Sequence, residues 1–149
     1  MDVFLDMSFI LSLIIKTDKT EKARRFFTET NLNLVASVAV YEESLYTGLR
    51  IIAERRLDIK NAYKLRNFVK KNGYEFAADF ISALHETFDE IQVLRDIGDI
   101  SSIRAIMEDY RLLPNDARIA ATCKHYGIKK IATFDDDFKR VDFLEVVEV

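Results

Sequence analysis

The order of apolar and polar positions along the chain predicts alternating strands and helices. Runs rich in β-branched and aromatic residues predict strands at 2–6, 32–37, 90–95, 129–134 and 143–149. Between these runs, apolar residues recur three and four positions apart, which is typical of amphipathic helices. Strands that alternate with helices form a largely parallel sheet with both faces covered, so we expect an α/β sandwich.

The helical segments are bounded by residues that commonly start or end helices. Ser37 and Asn115 lie at positions expected for N-caps, and Gly127 lies where the last helix should end. The predicted helices cover residues 7–15, 21–30, 38–56, 59–71, 74–88, 100–110 and 116–126.

Length and composition favour one globular domain spanning residues 1–149, of which 49% are apolar and 32% charged. No uncharged stretch approaches the roughly 20 residues that a membrane span needs, so we expect no membrane segment. The N-terminal apolar run lacks a basic region before it and is interrupted by Asp6, unlike a signal peptide. Cys123 is the single cysteine, which excludes an internal disulfide and suits a reducing cytoplasm.

The formal net charge of −3 gives no general attraction for nucleic acid. Binding of a phosphate backbone would therefore need a local basic patch or a metal ion. For most of the basic side chains a solvated helix face is the simpler explanation. The candidates for backbone contacts are Lys16, Lys19, Lys22, Arg24, Arg25, Lys70 and Lys71.

Asp6 interrupts the apolar run VFLDMSFILSLII. A lone carboxylate in a dry interior costs several kcal/mol unless it is neutralised or finds a partner. Asp6 follows directly after the first predicted strand. In open parallel sheets, ligands bind beyond the carboxyl ends of the strands. The sequence therefore predicts that Asp6 belongs to a site at that edge.

Further acidic residues follow other predicted strands or begin helices near the same edge. Each alone has a simpler explanation, such as helix dipole pairing for Asp116 or a turn for one residue of the run 135–137. Carboxylates that converge repel one another, and a hard divalent cation such as Mg²⁺ or Mn²⁺ relieves that repulsion. Such an ion favours phosphoryl chemistry. The acidic residues concerned are Asp6, Glu42, Glu43, Asp116, Asp135, Asp136 and Asp137.

Four segments together resemble the PIN-domain family, and within it the VapC-like toxin ribonucleases. They lie in the order of that family and are spread over nearly the whole chain. The segments are VFLDMSFIL, VASVAVYEESLYTGLR, LLPNDARIAATCKHYGI and IATFDDDF. The resemblance implies a three-layer α/β/α sandwich with a central, mainly parallel sheet and an acidic metal-binding pocket. Residues 58–110 carry no matching motif.

The resemblance also assigns roles to individual positions. The implied catalytic acids and ligands of Mg²⁺ or Mn²⁺ are Asp6, Glu43, Asp116 and Asp135, with Asp137 as an accessory metal ligand. The hydroxyls implied to orient them are those of Ser8, Ser37 and Thr133. Met7 departs from the family pattern, which has threonine or serine there. Glu42 remains an alternative to Glu43, because a shift of one residue in helix phase would exchange their roles.

The implied function is that of a cytoplasmic, metal-dependent endoribonuclease, the toxin of a toxin–antitoxin pair. Its implied partners are RNA, a small antitoxin protein and a second copy of the chain. Two other functions stay open. The acids could be structural in a catalytically inactive PIN-like module for RNA binding or assembly. An aspartate-based phosphatase is disfavoured because Ser8 occupies the position where that class has a second aspartate.

Overall fold

A computed structural model describes all residues from 1 to 149. The strands are Asp2–Leu5 (β1), Asn33–Ser37 (β2), Gln92–Leu94 (β3), Lys130–Ala132 (β4) and Glu145–Val146 (β5). The α-helices are Met7–Ile14 (α1), Thr20–Glu29 (α2), Val38–Leu57 (α3), Ala62–Asn72 (α4), Ala78–Asp89 (α5), Ile100–Tyr110 (α6) and Pro114–Tyr126 (α7). Glu75–Ala77 and Asp136–Arg140 are short 3₁₀ turns.

The strands form one five-stranded sheet in the order β3-β2-β1-β4-β5, and all neighbouring strands are parallel. Because crossovers between parallel strands are almost always right-handed, the strand order places α1–α5 on one face of the sheet and α6 and α7 on the other. Helix packing agrees, because α1 contacts α2, α3 and α5, whereas α6 packs against α7. The predicted three-layer α/β/α sandwich with a parallel sheet is confirmed.

The central strand β1 shows why the N-terminal run is apolar at consecutive positions. Val3, Phe4 and Leu5 are fully buried, since helices cover both faces of the sheet. In the register of the sheet, Phe4 lies between Val35 of β2 and Ile131 of β4. The apolar core extends from this strand through all layers of the sandwich.

The start of α3 differs from its prediction in one detail. Ser37 is the N-cap residue, as expected, but its side chain makes no capping hydrogen bond. The Ala39 backbone N–H instead donates to Oδ2 of Asp96, at 2.9 Å. The N-terminal amides of a helix need an acceptor from outside the helix. Here the acceptor comes from the segment after β3, a contact that local sequence does not reveal.

The start of α7 also differs, because the helix begins at Pro114 and its N-cap is Leu113. Proline suits the first helical position, where no backbone N–H is needed. The prediction of Asn115 as the cap is therefore wrong. Gly127 ends this helix with a φ of 68°, as the sequence predicted.

β4 is shorter than predicted and ends at Ala132. Beyond it, the backbone N–H groups bond to side chains rather than to a neighbouring strand. Phe134 N–H donates to the Ser8 hydroxyl at 2.9 Å, and Asp135 N–H donates to the Thr133 hydroxyl at 3.0 Å. These bonds turn the chain out of the sheet at its carboxyl edge.

No helix in the structure combines the length and the apolar character needed to cross a membrane.

Gly48→Ala should destabilise the fold, although alanine is the better helix former by about 1 kcal/mol. Gly48 of α3 lies against the ring of Phe80, and a β-carbon at this position would overlap that ring. Because Phe80 is buried, we expect a loss of about 1–3 kcal/mol in the free energy of unfolding, measured by urea denaturation.

The matched control introduces the same change in a Phe80→Leu background. The smaller side chain should reduce the cost of Gly48→Ala there. An equal cost in the two backgrounds would show that the Phe80 contact does not explain the effect.

Candidate active site

Asp6 lies directly after β1 and is 4% exposed, with no cation within salt-bridge distance. Its Oδ2 accepts hydrogen bonds from the hydroxyl of Thr133 at 2.8 Å and from that of Ser8 at 3.3 Å. The two hydroxyl oxygens are 3.1 Å apart. The buried carboxyl group is thus held by hydroxyls rather than by a charge.

Strand register explains this meeting of residues that lie 127 positions apart. Leu5 of β1 pairs with Ala132 of β4, so the residues that follow them, Asp6 and Thr133, leave the sheet side by side. The same point is where the connections from β1 and β4 run in opposite directions, which is the usual ligand crevice of open parallel sheets.

Three aspartates approach one another closely at this edge. Asp116 lies in the first turn of α7, whereas Asp135 and Asp137 belong to the loop after β4. One carboxylate oxygen from each lies within 4.8 Å of those of the other two. We call Asp116, Asp135 and Asp137 the aspartate triplet. The accessory acid of the sequence prediction is thus a full member of the closest cluster, whereas Asp6 and Glu43 lie beside it.

Local hydrogen bonds shape the loop that carries two of the triplet members. Oδ1 of Asp135 accepts the Asp137 N–H at 2.9 Å. The guanidinium of Arg140 donates to Oδ1 of Asp137 at 3.0 Å, and also to the carbonyls of Tyr110 and Arg111. Arg140 therefore joins this loop to the end of α6, shortly before α7 begins.

Arg140 was not singled out in the sequence. Its only local signal is its position three residues after Asp137, a spacing that places two side chains on one face of a helical turn.

Of the two adjacent glutamates in α3, Glu42 is exposed and Glu43 is half-buried. The Asn115 side chain donates from Nδ2 to Oε2 of Glu43. This bond connects α3 to the first turn of α7, next to Asp116. Sequence reasoning missed the role of Asn115, because it interpreted that residue as a helix cap.

The remaining predicted residues have varied surroundings. Ser37 is fully buried at the end of β2, and its hydroxyl has no hydrogen-bond partner. Asp136 is exposed and forms an ion pair with Lys139 at 2.8 Å. His85 and His125 are exposed and lie outside the aspartate triplet.

Burial and mutual repulsion alter the protonation of these acids. Partial burial, followed by repulsion from Asp6 and Asp116, raises the pKa of Glu43 to about 7. Burial and repulsion from Asp6 and Asp135 raise the pKa of Asp116 to about 6. The pKa of Asp6 is raised by burial, against the opposing effect of its hydrogen bonds with Thr133, the Met7 backbone and Ser8. The site therefore holds more negative charge than its surroundings stabilise.

The donor atoms suit a hard divalent cation. The aspartate triplet offers only carboxylate oxygens, the ligands that Mg²⁺ and Mn²⁺ prefer. Cys123 is buried outside the aspartate triplet, and burial raises the pKa of its thiol to about 12. Burial and, after it, repulsion between the acids raise the pKa values of Glu43 and Asp116, and a bound cation would offset both effects.

Comparison with known proteins adds two curated relatives from Methanocaldococcus jannaschii. Ribonuclease VapC2 is 51% identical over 71 residues, which cover 48% of this chain and 46% of that protein. The match with VapC2 thus spans just under half the length of that relative. Ribonuclease VapC6 is 27% identical over an alignment of 158 positions, which covers 99% of this chain and 97% of that protein.

Among solved structures, VapC20 of Mycobacterium tuberculosis, described as a sarcin-ricin loop cleaving toxin, superposes with a TM-score of 0.62. The alignment covers 97% of this chain and 98% of that one at 18% identity, which shows a shared fold. The family model described as the PIN domain matches residues 3–144. Because this match spans nearly all of the sheet, its helices and the aspartate triplet, the chain belongs to the PIN domain family.

Proposed function

We propose that this protein is a metal-dependent endoribonuclease of the VapC type that hydrolyses RNA phosphodiesters. The observation that carries the proposal is the aspartate triplet, with Asp6 and Glu43 beside it, at the carboxyl edge of the sheet. The names of VapC2 and VapC6, both ribonucleases, support the same class of reaction.

Asp116, Asp135 and Asp137 would hold Mg²⁺ or Mn²⁺, with Asp6 and Glu43 contributing directly or through water. When bound, such an ion lowers the pKa of a water molecule and neutralises charge on phosphate oxygens. Both ions accept carboxylate oxygens, so the donor set suits either of them.

The surrounding residues keep these carboxylates in place. Thr133 and Ser8 orient Asp6, Asn115 orients Glu43, and Arg140 orients Asp137. Groups that orient metal ligands from outside commonly contribute ten- to a hundred-fold to affinity or activity. We expect Ser37 to be another such residue, as the resemblance implies.

The phosphatase alternative finds less support in the geometry. The position two residues after Asp6 is occupied by Ser8, whose hydroxyl donates to Asp6. The inactive-module alternative is tested by calorimetric titration with Mn²⁺, in which the absence of binding would favour it. RNA as substrate, a small antitoxin and a homodimer are further parts of the proposal.

Replacement of the proposed ligands should remove RNA cleavage without unfolding the chain. We expect Asp6→Asn to abolish Mn²⁺-dependent cleavage, since one acid of the site is lost. Glu43→Gln should lower kcat/KM by about a hundred-fold or more. Loss of a residue that only orients a metal ligand commonly lowers metal affinity or activity by about ten- to a hundred-fold, and loss of a ligand itself should lower it at least as much. Cleavage of a labelled RNA and circular dichroism measure the two properties.

The adjacent Glu42→Gln is the matched control, because it removes the same charge from an exposed position of the same helix. It should leave cleavage within about two-fold of the wild type, as surface changes usually have little effect. Equal losses in Glu42→Gln and Glu43→Gln, or full activity of Asp6→Asn, would contradict the assignment.

The raised pKa values also predict how stability depends on pH. The ordinary pKa values are 4.5 for Glu43 and 3.8 for Asp116, against about 7 and about 6 in the folded chain. Between the ordinary and the raised values, the folded state binds more protons than the unfolded state. Stability from these two groups therefore falls as the pH rises through that window.

We expect the melting temperature in EDTA to fall by a few degrees between about pH 5 and about pH 7.5. Mn²⁺ should raise the melting temperature more at the higher pH, because it binds ionised carboxylates. Glu43→Gln serves as control and should show a weaker pH dependence in EDTA. A pH dependence identical to that of the wild type would refute the contribution of Glu43.

A further inference from the structure

Two open clefts border the aspartate triplet on the side of Phe134. One, of about 570 Å³, is lined by Lys19, Phe134 and Asp135 together with residues of α1 and the segment that follows it. The other, of about 470 Å³, is lined by Lys19, Lys22, Phe134, Asp135 and neighbouring residues. Because Asp135 and Phe134 line both clefts, we treat them as one groove and call it the Phe134 groove.

Two lysines lie over the ring of Phe134 in this groove. The Nζ atoms of Lys19 and Lys22 are 5.0 and 5.4 Å from the centroid of the ring. Ammonium groups within about 6 Å of an aromatic centroid are attracted by its electrons. The ring itself is stacked on the fully buried Phe9, with centroids 6.1 Å apart. A platform anchored in the core thus holds two positive charges beside Asp135.

These two lysines differ from the other cations nearby in forming no salt bridge, although Lys19, after Lys139, helps to lower the pKa of Asp136. Lys139, which also lines the groove, is paired with Asp136 at 2.8 Å. Arg140 is occupied by Asp137 and by two backbone carbonyls. Neither Lys19 nor Lys22 forms a salt bridge. Asp18, Asp136 and Glu148 also line the groove, and none of them forms a salt bridge with Lys19 or Lys22.

We propose that Lys19 and Lys22, held over Phe134, form a subsite for an RNA phosphate adjacent to the phosphate that binds at the aspartate triplet. This inference rests on the proposed function and names the residues that bring the substrate to the acids. A chain with a net charge of −3 and clustered carboxylates repels RNA unless local cations oppose that repulsion.

An acidic peptide has the same charge as RNA, but the surroundings of the groove favour RNA. The lysines are continuous with the aspartate triplet through Asp135, which lines both clefts. A divalent ion held by carboxylates typically keeps coordination positions that substrate phosphates fill. A phosphodiester chain can therefore use both parts of the groove at once.

The test measures binding of a short fluorescein-labelled single-stranded RNA in EDTA, by fluorescence anisotropy at several salt concentrations. Each phosphate contact with single-stranded nucleic acid contributes about 0.7 to the slope of log affinity against log salt. Because the proposed subsite binds one phosphate, the Lys19→Gln/Lys22→Gln variant should lower the magnitude of the slope by about 0.7.

The matched control is Lys64→Gln/Arg66→Gln, which removes the same charge from exposed positions of α4. It should retain the wild-type slope. Lys19→Arg/Lys22→Arg, which keeps both charges, should retain most of it as well. An unchanged slope in Lys19→Gln/Lys22→Gln, or an equal decrease in the α4 control, would overturn the subsite.

Polyglutamate of matched charge distinguishes the other class of ligand. If it binds more tightly than RNA and loses that binding in Lys19→Gln/Lys22→Gln, the RNA assignment is wrong. If the wild type cleaves RNA, the KM of the same variant should be higher and its kcat unchanged. The reason is that the lost contact binds the substrate and the transition state equally. If the wild type binds RNA with the expected slope but does not cleave it, the proposed ribonuclease activity is wrong, whereas the proposed subsite stands.

Discussion

The burial of the Asp6 carboxyl group against Thr133 and Ser8 is the interaction on which the rest of the site depends. A carboxylate without a cationic partner is costly in the interior, and here hydroxyl donors reduce that cost. The same two hydroxyls accept the backbone N–H groups of Phe134 and Asp135. The shape of the loop after β4 and the orientation of Asp6 are therefore determined together.

The acidic side chains of this site lie in an electrostatically unfavourable arrangement. Glu43 and Asp116 are partly buried and face other acids, and burial together with this repulsion raises their pKa values. The neighbouring Arg140 is used to hold the loop, and only partly offsets the charge near Asp116. Strain of this kind is common where stability is sacrificed for function, and a divalent ion would relieve it.

The basic side chains near the groove differ in whether they form salt bridges. Lys139 and Arg140 are each bound to an aspartate of their own 3₁₀ turn. Lys19 and Lys22 instead lie over the Phe134 ring and form no salt bridge. Contact with the ring limits the freedom of both side chains, which lowers the entropic cost of binding a ligand.

Local patterns in the sequence were enough to predict the order of strands and helices, the parallel sheet and the position of Asp6 after β1. These features follow from local periodicity and from rules on how strands connect, so they can be inferred without long-range contacts. The candidate acids were likewise recognisable, because four short segments resemble one family in order and spacing. The choice between Glu42 and Glu43 was not, since both residues suit a helix equally well.

Which side chains contact one another depends on the three-dimensional packing of the chain. Asp96 caps α3 in place of Ser37, Asn115 contacts Glu43 instead of capping α7, and β4 ends early at the hydroxyls that hold its loop. Asp137 joins the closest cluster, and Arg140 ties its loop to the end of α6. Each of these contacts joins residues whose relative positions depend on packing or on turn geometry. Periodicity in the sequence predicts which face of a helix or strand is buried, but it does not predict which polar group of another element lies opposite that face.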